Sequence, residues 1–292
     1  MIDTKKAMLS AILNFRKWRG DWRIIMIAVC AICFCFWNAQ GFARFGADYG
    51  LEVTAWIFPH LYANPVMLLI YGYFVVTLFS DAPFMDEQTM FWLSRCGRLE
   101  WILGQMIYIV IASLIFALFL ALTPILALLP NVSFAPEWGD AIMAIADNSE
   151  ISMEYNISIP ALSMMMIKMA PLKAMAISTL MTWLISMFMG GLMLFANLTF
   201  GGYTGTVTCS IITFMSYVVS YFDDSVLGIS AYYFSPVNWM TVYGMNWLGD
   251  MLSPPPAYGI SVLLLATLLC FSLSAYIFCK RDVNVRQGGI LQ

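Results

Sequence analysis

The sequence predicts an all-α membrane protein that crosses the bilayer several times. Of its 292 residues, 61% are hydrophobic and only 11% are charged, and the mean hydropathy is +0.80. A soluble domain has about 45–50% apolar and about 25% charged residues. The apolar residues also fall into long runs, and a helix needs about 20 such residues to cross the hydrocarbon. We therefore expect a polytopic protein with six transmembrane helices.

The runs are joined by segments of different composition. Residues 4–20 place Met8, Ile12, Phe15 and Trp18 at helical spacing among Lys and Arg, which is typical of an amphipathic helix in the membrane interface. The six spans are predicted at residues 24–42, 65–79, 101–129, 172–196, 206–222 and 260–278.

The segment 80–105 joins two of these spans and carries six charges. Each charge costs about 2.5–3.5 kcal/mol at the bilayer centre, so we place residues 81–100 at or outside a membrane face. Two longer loops are predicted at 130–171, which is acidic and rich in proline, and at 223–257. The apolar stretch 229–240 is too short to span, so it predicts short re-entrant or interfacial helices before the last span.

The basic residues predict the orientation. Eleven of the fourteen Lys and Arg lie in the N-terminal segment, in residues 81–100 or in the C-terminal tail. Cytoplasmic loops carry an excess of these residues. Both termini and residues 81–100 are therefore expected in the cytoplasm, the loops 130–171 and 223–257 outside, and the chain in the plasma membrane.

Several functions are disfavoured by what the sequence lacks. The span interiors hold no Asp, Glu, Lys, Arg or His, unlike most proton- and ion-coupled transporters. The one histidine, His60, is expected at the membrane interface and has no second imidazole for a zinc site. There is no G-x-x-x-x-G-K-[ST] phosphate loop and no basic groove-like run for nucleic acid. We expect no catalytic residue, no metal and no cofactor bound by this chain.

Aromatic side chains crowd two of the predicted spans. Tyr71 and Phe74 lie in the second span, and Phe214 and Tyr217 lie in the fifth. Such side chains suit an adaptable greasy cavity, so they are candidates for a substrate path. Packing against lipid or neighbouring helices stays open for each of them.

The predicted chain combines a basic N-terminal helix, six spans with both ends inside, and a charged connection after span two. That connection ends in Arg95-Cys-Gly-Arg98, just before Trp101-Ile-Leu-Gly-Gln105, and Ser235-Pro236 lies in a short apolar segment before span six. This combined pattern resembles the type-2 class of ATP-binding-cassette exporter permeases.

The resemblance implies partners and site residues. The permease would pair with a second copy or a sister permease in membrane lipid, and with two copies of a separate subunit that binds ATP and Mg. The coupling residues implied are Asp86, Glu87, Met90, Phe91, Trp92, Arg95 and Arg98, with Phe91 and Trp92 entering the ATPase groove. The outer gate implied comprises Tyr233, Phe234, Pro236 and Trp239.

The function implied is outward movement of an amphipathic or hydrophobic substrate, such as a peptide, drug or lipid-like molecule, by alternating access. The acidic loop 130–171 is longer than in minimal members of that class. The alternatives are a channel, a scaffold or sensor subunit, or a membrane enzyme using outer carboxylates among Asp223, Asp224 and Asp250, each without an ATPase partner.

Overall fold

A computed structural model describes residues 3–85, 89–129, 132–249, 253–280, 285–286 and 289–290. This part of the chain is mostly helical. In chain order its elements are α1 (Thr4–Lys17), α2 (Trp22–Tyr49), β1 (Val53–Thr54), α3 (Phe58–Leu61), α4 (Pro65–Phe79), α5 (Thr89–Cys96), α6 (Arg98–Ala127), β2 (Val132–Ser133), α7 (Asp140–Asp147), α8 (Ser149–Glu154), α9 (Ser163–Lys168), α10 (Pro171–Phe200), α11 (Thr204–Leu227), two 3₁₀ helices (Ile229–Phe234 and Pro236–Met240), α12 (Pro256–Lys280), β3 (Val285–Arg286) and β4 (Gly289–Ile290).

Five helices in the described ranges are long and apolar enough to cross a membrane: α2, α6, α10, α11 and α12. The protein is therefore a helical bundle with the character of a multi-pass membrane protein. The remaining apolar helix, α4, has 15 residues. At 1.5 Å per residue it is about 22 Å long, shorter than a hydrocarbon core of about 30 Å. The structure thus has five long candidate spans, and a sixth crossing stays a prediction.

Local sequence signals determine where these helices begin and end. The side chain of Asp21 accepts a hydrogen bond from the Arg23 amide and caps α2, which ends at Gly50 in the left-handed conformation. Gly97 has φ +91°, a value that favours glycine, and it separates α5 from α6. The third long helix therefore begins at Arg98, directly after the short α5.

Small residues allow the bundle helices to approach closely. A Cβ at Gly190 of α10 would lie 2.8 Å from Ile109 Cγ2 and 3.0 Å from Phe79 Cδ2, so α10 packs tightly against α6 and α4. A Cβ at Gly72 of α4 would lie 2.5 Å from Thr213 Cγ2 of α11. Such contacts matter in lipid, where helix association depends on close packing rather than on the hydrophobic effect.

The loops at one end of the bundle, called the α3 end here, fold into a structured lobe. β1 pairs in parallel with β2, so that Val53 lies opposite Val132. The Trp56 indole donates to the Ala135 carbonyl at 2.6 Å, and the Trp138 indole donates to the Met169 carbonyl at 2.9 Å. The acidic segment expected as a loop therefore contains α7, α8 and α9 and packs onto the bundle.

Helix α1 crosses α6 at the opposite end, called the α1 end. Its small residues Ala7, Ser10 and Ala11 are buried. A Cβ at Gly104 of α6 would lie 2.5 Å from Ser10 Cβ and 2.7 Å from the Ala7 carbonyl oxygen, so only glycine permits this approach. Asn14 of α1 also donates a buried hydrogen bond to Gln105.

The predicted apolar stripe of α1 divides between two environments. Met8 and Ile12 are exposed, whereas the rings of Phe15 and Trp18 pack against Tyr108 of α6. The stripe is therefore only partly available to lipid, because its C-terminal half serves the α1–α6 contact. The interfacial position of α1 in a membrane stays a prediction.

Gly104→Leu should detach α1 from α6. The new side chain overlaps Ser10 and the Ala7 carbonyl, and overpacking of this kind costs about 1–3 kcal/mol. We expect a lower thermal unfolding midpoint in detergent and faster tryptic cleavage at the Lys and Arg of α1. Gly20→Leu is the control, because a Cβ there meets nothing within 4 Å. Equal cleavage rates in the two variants would contradict this packing.

Candidate functional site

Helix α5 lies between α1 and the start of α6. The Lys6 ammonium donates to the Arg95 carbonyl at 3.3 Å, which ties α5 to α1. Cys96 is buried, and Leu93 packs against the bundle core. The short helix is therefore held on one side by the bundle and presents its other side to the surroundings.

Phe91 and Trp92, the two α5 residues predicted to enter the ATPase groove, point in different directions. Phe91 is 74% exposed. Trp92 is half-buried and lines a cleft of about 390 Å³ between α1 and α5, together with Asn14, Lys17 and Trp101. Successive helical residues are about 100° apart, so one of them projects outward while the next turns toward α1. Of these two side chains, Phe91 is the one available to a partner.

The other predicted coupling residues are placed as follows. Arg95 and Arg98 are exposed on either side of Gly97. Asp86, Glu87 and the side chain of Met90 lie outside the described residues.

The start of α6 connects α5 to the end of α12. The Arg98 guanidinium donates to the Cys279 carbonyl at 3.5 Å. The Trp101 ring stacks on Phe278, with 4.8 Å between ring centroids and 25° between ring planes. A displacement of α5 would therefore be passed to α6 and α12 as well as to α1.

An ion-pair cluster joins the start of α2 to the end of α4. The Arg23 guanidinium binds Asp21 at 2.5 Å and also binds Asp81, and it donates to the Ser80 hydroxyl at 2.9 Å. Burial alone would raise the pKa of Asp21, but the hydrogen bonds and charge of Arg23 outweigh burial and lower that pKa. In the sequence Arg23 is one basic residue among several. Its pairing with Asp81 depends on the fold, because the two residues are 58 positions apart.

The predicted substrate-path residues form two pairs of rings. Tyr71 is buried inside the chain, with its ring centroid 6.0 Å from that of Phe74. Phe214 is 51% exposed on α11, and its centroid lies 6.2 Å from that of the half-buried Tyr217. Tyr71 therefore packs between helices of one chain, whereas Phe214 lies on the outer face of the bundle.

The predicted outer-gate residues lie on the two 3₁₀ helices at the α3 end. Phe234 is 85% exposed, whereas Trp239 is buried and its indole donates to the Tyr232 carbonyl at 2.8 Å. Pro236 begins the second 3₁₀ helix, and the Tyr233 ring lies 5.3 Å from that of Tyr258.

Tyr258 of α12 links these short helices to the last long helix. Its hydroxyl donates to the Tyr233 carbonyl at 3.3 Å, and its ring meets Trp239 edge to face at 5.9 Å. Tyr258 was not among the site residues predicted from the sequence. Its position in the first turn of α12, directly after the proline run 254–256, was the available signal.

The lobe at the α3 end buries His60 completely, and its position at a membrane interface stays a prediction. Its Nδ1 accepts a hydrogen bond from the Leu162 amide at 3.1 Å, and the Trp138 ring packs edge to face at 5.0 Å. Burial lowers the pKa of His60 to about 3, and the Pro160 carbonyl offsets only part of that effect. The folding of residues 132–171 over His60 was not evident from the sequence.

Comparison with known proteins adds no identification: no protein-family model, curated protein or solved structure matches this chain. Across the described ranges no group of three or more His, Cys, Asp or Glu is arranged to hold a metal ion.

His60 should make the lobe sensitive to acid. Its pKa falls from the ordinary 6.5 to about 3 on folding, so between these values the unfolded chain binds the proton and the folded chain does not. The free energy of unfolding is therefore undiminished above pH 6.5. Below that pH it decreases by about 1.4 kcal/mol for each pH unit, until the folded chain also binds the proton at about pH 3.

The measurement is the thermal unfolding midpoint in detergent between pH 7 and 4.5, for the wild type and His60→Asn. Asparagine retains an acceptor for the Leu162 amide but does not titrate. We expect the midpoint of the wild type to fall more steeply with acid. Parallel curves would show that His60 does not carry the effect.

Proposed function

We propose that this chain is the membrane-spanning permease subunit of an ATP-driven exporter. It would act with a second copy or a sister permease and with two copies of a separate ATP-binding subunit. The observation that carries the proposal is α5, an eight-residue helix that is held between α1 and α6 and presents Phe91 to the surroundings.

The chemistry of α5 suits a docking surface. Exposed aromatic and Arg side chains are the residues that most often dominate binding energy between proteins. Phe91 and Arg95 are both exposed on this helix. Because the sequence contains no phosphate loop, the energy of ATP would have to reach the bundle through such a contact.

The packing around α5 suggests a route for the motion. A push on α5 acts on α1 through Lys6, and through α6 it reaches α12 at the Trp101–Phe278 stack. Closure of the two ATP-binding subunits would tilt these helices together. At the α3 end, the 3₁₀ helices held by Tyr258 would move with α12 and open the exit.

The surface of α11 suggests where the substrate passes. Phe214 and Tyr217 lie on the outer face of a single chain, so a second permease copy packed there would enclose them in a cavity. An aromatic cavity without fixed charge suits an amphipathic or hydrophobic substrate such as a peptide, drug or lipid-like molecule. The α1 end would lie in the cytoplasm, with both termini, and the chain in the plasma membrane.

Phe91→Ala should uncouple the permease from its ATPase. Truncating an aromatic hot spot costs about 2 kcal/mol or more, or about 30-fold in affinity. We expect less ATP-binding subunit to copurify with a tagged chain from native membranes, and no stimulation of ATP hydrolysis by substrate. Phe134→Ala is the control, because Phe134 is 64% exposed but lies at the α3 end.

Two results would contradict the proposal. One is a Phe91→Ala complex that assembles and hydrolyses ATP like the wild type. The other is ion conduction by the purified chain alone in planar bilayers, which would favour a channel.

A further inference from the structure

Helix α9 is fixed along one side to the lobe at the α3 end. Its Met165 is completely buried. The amide of Leu162, just before the helix, donates to His60 Nδ1 at 3.1 Å, and the carbonyl of Met169, just after it, accepts from the Trp138 indole at 2.9 Å. Because both ends of this six-residue helix are held, the direction of its other side is fixed as well.

The other side of α9 is apolar and exposed. Ile167 is 79% exposed, and Met164 is exposed too. The two residues are three positions apart, so they lie on one face of the helix. Leu172 in the first turn of α10 is 68% exposed and adds a third large apolar side chain a few residues further on. Removal of such side chains from water is favourable, so this surface favours an apolar neighbour.

The start of α10 lies at the level of a membrane surface. Near the other end of α10, Asn197 donates to the Ala82 carbonyl at 2.7 Å, next to Asp81 and its ion pair with Arg23. These charges mark the membrane face at the α1 end. Lys173 is exposed and lies 24 positions before Asn197, which is about 36 Å along the helix, or about 34 Å at a tilt of about 20°. The hydrocarbon core is about 30 Å thick and the whole bilayer about 40–45 Å, so Lys173 lies at the headgroups of the opposite leaflet.

Helix α9 lies close to that level. Only Met169 and Ala170 separate it from α10, and this connection is about 10 Å long at most. The exposed face of α9 is therefore within reach of the headgroups and of the acyl chains just below them. A helix with one apolar side binds at this boundary in a bilayer.

We infer that α9 lies in the headgroup layer of the leaflet at the α3 end, with Met164 and Ile167 directed at the acyl chains. Lipid is the neighbour that this position favours, because the exposed face leads directly into α10, one of the five candidate membrane spans. Since Trp138 and His60 hold α9, the whole lobe would be seated on the membrane through this one helix. The inference concerns the contact of the lobe with lipid and is independent of the transport proposal.

Photocrosslinking from α9 tests this contact. A photoreactive amino acid replaces Ile167 in the full chain, and the adducts formed in native membranes are identified by mass spectrometry. Asp147 is the control position, because it is exposed on the same lobe at the end of α7, beside the exposed Asn148. We expect about tenfold more lipid adduct at position 167 than at position 147, because the surroundings of Ile167 are apolar. A yield of lipid adduct at position 167 no higher than at position 147, or adducts to protein in place of lipid, overturns the inference.

A pair of variants tests whether the apolar face creates the contact. The photoreactive amino acid is moved to position 164, and Ile167→Glu is compared with Ile167→Leu. We expect about tenfold less lipid adduct for Ile167→Glu, which places a charge toward the acyl chains, and no loss for Ile167→Leu, which keeps the side chain apolar. Equal yields for the two variants overturn the inference. The comparison of positions 167 and 147 needs neither variant, so it decides the inference even if Ile167→Glu disturbs the lobe.

Discussion

The contact between α1 and α6 at Gly104 organises the α1 end of this protein. Because glycine has no side chain, Ser10 and the Ala7 carbonyl lie within reach of the α6 backbone. That approach positions Asn14 against Gln105 and Trp18 against Tyr108. The cleft beside α5 lies along this contact, so its shape depends on it.

Much of the bundle is visible in the sequence, because burial in lipid requires long apolar helices and local residues mark their ends. Asp21 caps α2, and Asn64 followed by Pro65 begins α4. Which side chains of a given helix are buried and which are exposed was not predictable. Phe91 and Trp92 share one apolar cluster in the sequence, yet tertiary packing buries part of one and exposes the other. The burial of His60 was not predictable, because the lobe that covers it comes from residues about 100 positions away.

The same bundle places distinct features at its two ends. At the α1 end, the exposed Phe91 lies beside helices that reach the last long helix through Trp101 and Phe278. At the α3 end, Tyr258 of that helix holds the 3₁₀ helices. α12 therefore contacts the proposed gate directly and reaches the proposed docking surface through the start of α6, which gives the proposed coupling a continuous physical route.

The central claim is that α5 docks a soluble ATPase, and crosslinking from its exposed position tests it most directly. A photoreactive amino acid at position 91 would be activated in native membranes and the product identified by mass spectrometry. We predict a crosslink from position 91 to a soluble protein with a G-x-x-x-x-G-K-[ST] loop, and none from position 134. A crosslink from position 91 to lipid alone, or to a protein without that loop, would contradict it.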